Sequence, residues 1–236
     1  MYSWYSFPPI AAMIGILHTV VTGLILIFDP FLGATSATAA IVMLVVAVRA
    51  LLIPFGYAQV RAEQIRNRLA PQVREMRRKR HKDPQRLRRE LAALYAREQT
   101  TPLAGCLPAL AQAPVFTVLY GLFLVPEING ELNSLLGQTL AGVPLGAHLA
   151  DVLTGTGIPV FAVLFALLGL VAWGTRRITP RVDTPGAGVV SWLPFGTLAV
   201  AALVPLAAGI YLLASTAWTV GERVIMRRVA SREPKT

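Results

Sequence analysis

The stretch LVVAVRALLIP, residues 44–54, sets one arginine, Arg49, in an otherwise aliphatic run. A guanidinium stays charged at physiological pH and offers five N–H donors in a planar fork that suits carboxylates. At the centre of a membrane helix it costs roughly 2.5–3.5 kcal/mol on insertion scales, so it is shielded from lipid, snorkelling to the headgroups, or in use. Other polar groups fall in register with it. Tyr211, Ser215, Trp218, Thr219 and Glu222 recur at offsets 0, 4, 7, 8 and 11, which is one helix face. Counting from the ends of the apolar runs brings Gln112, Thr197 and the stretch between Ser215 and Trp218 to the depth of Arg49. A polar layer inside a bilayer must face protein or water. The next basic residue, Arg61, is twelve residues on, about 18 Å along an unbroken helix and beyond the reach of a side chain. That favours a wet cavity open to the cytoplasm over simple snorkelling. No Asp or Glu is expected at the depth of Arg49, so the counter-charge would arrive with a ligand.

The elements that hold these groups follow from composition and charge placement. Of 236 residues, 55% are hydrophobic and 14% charged, too apolar for an ordinary soluble domain. Six stretches are apolar enough for membrane contact: 9–28, 37–58, 103–125, 158–175, 189–204 and 206–226. A crossing helix needs about 20 residues, and Pro205 divides the last two stretches. No Lys or Arg occurs in 1–48 or 126–157, whereas thirteen lie in 59–102, three in 174–188 and five near the C-terminus. The positive-inside rule then makes 59–102, the 176–188 loop and the 227–236 tail cytoplasmic, with 126–157 outside. Topology accounts for the net charge of +10, and no DNA partner is needed.

The N-terminal region 1–36 allows two readings: a spanning helix over 9–28, or a helix lying along the outer interface. Tyr2, Trp4, Tyr5 and Phe7 without a basic residue fit an aromatic anchor at headgroup level, which favours the interfacial helix. The first residues lack the basic region of a secretory signal, so the chain's own hydrophobic helices are expected to bring it to the membrane.

Residues 59–102 read as a cytoplasmic helical hairpin. His81-Lys82-Asp83-Pro84 marks the turn. Val60, Ile65, Leu69, Val73 and Met76 before it, and Leu87, Leu91, Leu94 and Tyr95 after it, form two narrow apolar stripes that can pair as an antiparallel coiled coil. The basic residues stay in water, among them Arg77, Arg78, Lys79, Arg80, Lys82, Arg86, Arg88 and Arg89. They form either a solvated face beside anionic lipid or a docking site for an anionic partner.

Several chemistries lack their signatures. The sequence has no GxxxxGK[ST], no HExxH and no GxSxG. His18, His81 and His148 are scattered, and Cys106 stands alone in an apolar run. No enzyme activity, metal site or other cofactor is expected. A cavity, a charge and a basic arm remain.

Arg49-Ala-Leu-Leu-Ile-Pro54 and the run from Gln64 to Phe123, with Pro-Leu-x-Gly-Cys-Leu-Pro-x-x-x-Gln-x-Pro over 102–114, resemble the YidC/Oxa/Alb membrane protein insertases, in their short bacterial form. The resemblance is strong over 37–125 and weaker over 189–228, through Pro194, Pro205 and Tyr211. It implies an all-α integral membrane protein of the bacterial plasma membrane. Five core transmembrane helices would follow an extracytoplasmic interfacial helix, around a hydrophilic groove closed to the outside and open to cytoplasm and lipid. Arg49, Gln112, Thr197, Tyr211, Ser215, Trp218 and Thr219 would line the groove. Nascent membrane proteins would be the clients, with the ribosome and a Sec-type translocon as further candidate partners. The sequence departs from the family pattern in its Gly-rich 126–157 loop, its short 176–188 loop, Leu212 after Tyr211 and a brief tail, which leaves the hairpin as the better docking element. The rival is a small secondary transporter or anion channel that binds solute at Arg49, against which stands the lack of acidic relays and inverted repeats. A third reading is an assembly factor for folded partners.

Overall fold

The computed structural model describes residues 5, 7–79, 83–98, 117–128, 130–153, 155, 157–178 and 192–230. They are mostly helical and form two compact units, Met1–Leu51 with Val115–Ile225, and Leu52–Pro114 with Met226–Thr236. Among the described residues, two helical stretches are long and apolar enough to cross a membrane, Pro8–Leu51 and Ile158–Ile178. Their outward faces stay apolar: Leu26, Phe31, Val163 and Leu170 are exposed, as suits contact with lipid rather than water.

In the first unit, α1 (Pro8–Leu32) begins on two prolines, whose fixed φ suits a first helical turn. Gly33 ends it at φ +50°, a left-handed conformation that glycine adopts without a Cβ clash. After the short turn Gly33–Thr35, α2 (Ser36–Leu51) packs back on α1. Small residues make the close packing possible: Ala37 and Ala40 are buried beside Ile41, Leu44 and Val45. The helix expected to run unbroken to 58 stops at Leu51. Pro54 has no N–H to continue the ladder, and Phe55 N and Gly56 N both donate to Leu52 O, at 3.0 and 3.1 Å. Arg49 therefore lies in the last turn of α2.

A helix over 117–124 (α5) approaches α1 closely, since a Cβ on Gly121 would meet the Tyr5 ring at 2.6 Å and Ile14 at 3.0 Å. The 126–157 segment then folds into two small hairpins, β1 (Glu127–Ile128) with β2 (Glu131–Leu132) and β3 (Thr139–Leu140) with β4 (Val143–Pro144). The second turns on Ala141 and Gly142, both at positive φ, the conformation that matches strand twist in a two-residue turn. Asn133, 5% exposed, closes the end of α5: its Nδ2 donates to Leu122 O at 2.8 Å and Val125 O at 3.0 Å. The same segment caps the last helix of the chain, where Leu206 N donates to Ala147 O at 2.9 Å and Ala207 N to Leu145 O at 2.8 Å. These are two of the four N–H groups that a helix start leaves unpaired.

Next comes α8 (Ile158–Ile178), after two one-turn helices, α6 (Ser134–Gly137) and α7 (Leu149–Val152). Near its end Arg177 lies over the Trp173 ring at 4.7 Å, and Arg176 over the Trp192 ring at 4.2 Å, within cation–π range. A short turn Leu193–Phe195 leads into α9 (Gly196–Leu203). Val204 is extended ahead of Pro205, as a residue before proline prefers, and α10 (Leu206–Ala230) follows. Gly209 lets α10 approach α8, because a Cβ there would sit 2.7 Å from Leu164 Cδ2.

The second unit contains α3 (Ile53–Lys79) and α4 (Pro84–Arg97), packed on each other. Asp83 caps α4 by accepting from Arg86 N at 3.0 Å, and Arg68 pairs with Glu98 between the helices. Val60, Leu69 and Leu94 are buried, while the six other stripe residues are half-buried. Asn133→Ala should lower the stability of the purified protein by about 1–3 kcal/mol, because it strands a buried carbonyl at Leu122 and a part-buried one at Val125. Unfolding followed by helical circular dichroism in detergent checks this.

Candidate functional site

The site is built on one face of α10 in the first unit. Tyr211 and Ser215, one turn apart, are 2% and 4% exposed. The half-buried Arg49 donates from Nη2 to Ser215 Oγ, and the buried Tyr211 lies one turn before Ser215 on the same face. A charged group and a hydroxyl thus join α2 to α10, next to a buried phenol. The phenol is fixed by aromatic packing: the Tyr211 ring lies 6.4 Å from Tyr120 and 6.0 Å from Phe123, both tilted, within the range of favourable ring contacts.

The stripe continues along α10. Thr219 spends its hydroxyl hydrogen on Ser215 O at 2.9 Å, a back-bond that satisfies it inside an apolar environment. Trp218 lies close enough to act on the Glu222 carboxylate, yet Trp218 Nε1 and Glu222 Oε1 are both buried without a hydrogen bond of ordinary geometry. Thr197 lies in the first turn of α9, with its hydroxyl donated to Pro194 O at 2.8 Å. Gln112 lies outside the described residues.

Two expectations change. Arg49 does not depend on water alone, since Ser215 holds it directly. The charge of Glu222, on the same face of α10, also acts on Arg49. Counting placed Glu222 on the same face of α10, two turns beyond Ser215. Among the described residues Arg49 has no ion pair; its one hydrogen-bond partner is Ser215. Tyr120 and Phe123 were also missed, since only the packing of α5 against α10 gives them a role.

In the second unit, Arg77, Arg78, Lys79, Arg86, Arg88 and Arg89 are exposed. Lys79 pairs with Glu75 at 2.6 Å, and Arg86 with Glu90 at 3.1 Å. The Lys79 ammonium holds the Glu75 carboxyl below its ordinary range. Arg80 and Lys82 lie outside the described residues.

The model of the 60Kd inner membrane protein family matches residues 27–233. The chain belongs to the YidC/Oxa/Alb family. Among its relatives, the membrane protein insertase YidC of Zymomonas mobilis is 32% identical over 76% of this chain and 32% of its own length. That of Streptomyces avermitilis is 28% identical over 80% of this chain and 50% of its own. That of Mycobacterium leprae is 26% identical over 78% of this chain and 60% of its own. The chain therefore spans about a third to three-fifths of these relatives' lengths. Within this YidC/Oxa/Alb chain, Arg49, Ser215 and Tyr211 all lie inside the matched region.

The Tyr211 contacts separate into packing and hydrogen bonding. Tyr211→Phe should cost about 1 kcal/mol, the value of one hydrogen bond. Tyr211→Ala should cost about 3–5 kcal/mol, the range for emptying a large aromatic site. Chemical denaturation in detergent micelles distinguishes the two.

Proposed function

We propose that the chain is a membrane protein insertase: it moves hydrophilic segments of client proteins part-way across the bilayer through a polar groove and releases their hydrophobic helices into lipid. The observation that carries this reading is a half-buried Arg49 held by a neutral hydroxyl, Ser215, with its charge unpaired among the described residues. A permanent ion pair would saturate the guanidinium fork, whereas a single hydroxyl leaves donors for a carboxylate. The relatives named insertases support the same reading, and insertion makes or breaks no covalent bond.

In this reading the chain sits in the bacterial inner membrane. Five crossings, formed by α2, 103–125, α8, 189–204 and α10, surround a groove open to cytoplasm and lipid. The 126–157 segment lies outside. Its bonds to the end of α5 and the start of α10 support a groove closed on that side. The contacts of α1 with Gly121 and of His18 with Ser134 at 3.4 Å support an interfacial α1 beside that lid. Gln112, Thr197, Trp218 and Thr219 keep the groove polar. The hairpin 59–102 meets the client or its ribosome through its basic residues, and a Sec-type channel can act alongside.

The energetics favour acidic clients. An Asp at the bilayer centre costs about 2.5–3.5 kcal/mol, which a wet groove largely removes. The inside-negative potential contributes about 2.3 kcal/mol per charge per 100 mV towards outward movement of an anion. Burial of the client's apolar helix in lipid supplies most of the driving force. In proteoliposomes, Arg49→Ala should lower insertion of a single-span client with an acidic tail about tenfold more than that of the same client with Asn in place of Asp, as loss of a charge-assisted bond predicts. Equal losses for both clients would refute a role for the charge. Solute uptake without client would favour the transporter reading.

A further inference from the structure

We propose that the cytoplasmic end of α8 is a binding site for one anionic phospholipid, with Arg176 and Arg177 on its phosphate and its acyl chains along the apolar faces of α8 and α9. The proposal rests on the membrane placement in the reading above and adds a ligand to it. Arg177 lies over the Trp173 ring at 4.7 Å and Arg176 over the Trp192 ring at 4.2 Å, and Trp192 in turn lies 5.2 Å from Phe195. Arg176 thereby joins the last turn of α8 to the turn that opens α9. An aromatic ring attracts a guanidinium without neutralising it, and neither arginine has an ion pair among the described residues. The connection 174–188 holds three arginines against one acid, Asp183, so positive charge is in excess here.

The surface beside the arginines has the length and character that a lipid tail needs. Val163, Leu167, Leu170, Trp173 and Arg177 recur at offsets 0, 4, 7, 10 and 14, one helix face, and all five are exposed. From Val163 to Trp173 the face runs about 15 Å, half of a hydrocarbon core about 30 Å thick. It therefore matches one leaflet, with the charge at its rim. On the adjoining α9, Val200 and Leu203 are exposed, as is Leu193 in the turn before it. A phosphate accepts from guanidinium N–H groups, and an anionic headgroup brings no opposing charge. A choline headgroup does: both arginines repel its ammonium, and the two indole rings that could hold it already face guanidiniums. An anionic lipid is thus preferred over a zwitterionic one.

The test reads tryptophan quenching in proteoliposomes by brominated phosphatidylglycerol against brominated phosphatidylcholine. The full chain carries Trp4→Phe and Trp218→Phe, so that Trp173 and Trp192 report alone. The anionic lipid should bind about fivefold more strongly, the factor that one basic residue gives beside an anionic lipid surface, and the preference should shrink as salt rises. Arg176→Gln with Arg177→Gln should bring the ratio close to one, with helical circular dichroism unchanged. Equal quenching by the two lipids with both arginines in place, a preference indifferent to salt, or a preference that survives in the double Gln variant would overturn the site; the first two outcomes need no arginine variant to fold. A preference erased by inorganic phosphate at constant ionic strength would assign the arginines to a soluble anion and overturn the lipid. Client insertion is scored separately with the unsubstituted chain. Insertion without a lipid preference removes this proposal alone, whereas a preference without insertion supports the lipid site and removes the insertase reading.

Discussion

The structure turns on one hydrogen bond between a charge and a hydroxyl inside an apolar unit, Arg49 to Ser215. A guanidinium at membrane depth is tolerated when its donors meet partners or water and its charge meets a counter-field. Ser215 supplies a hydrogen-bond partner but no counter-charge, so the site stays open. A full ion pair would make Arg49 a structural rivet, and an apolar pocket would expel it.

The rest of the first unit serves that bond. Its two ends sit on helices far apart in sequence, so α2 and α10 must be held in register. Tyr120 and Phe123 of α5 fix Tyr211, and Gly209 lets α10 lie against α8. The 126–157 segment ties the end of α5 to the start of α10 through Asn133, Leu145 and Ala147. Backbone groups that would otherwise be stranded at helix ends are thereby satisfied by a loop rather than by water.

Much of this was legible in the residues. Arg49 was conspicuous because charge in an aliphatic run is costly, and the 211–222 stripe because helical period is simple arithmetic. Asp83-Pro84 announced the start of α4, since proline and an N-cap carboxylate act locally. What stayed hidden depended on packing. The break at Leu52 could have been drawn from Pro54, yet the apolar run masked it. Nothing local in the 126–157 loop signals that Asn133 turns inward to two carbonyls.

The central claim is that polar groups beside Arg49 face water from one side of the membrane only. A single cysteine in place of Thr219, in a Cys106→Ser background, tests it with a membrane-impermeant maleimide applied to sealed vesicles of each orientation. The expected result is labelling from the cytoplasmic face and none from the opposite face. Labelling from the outer face, or a thiol that reacts only with lipid-soluble reagent, would contradict it.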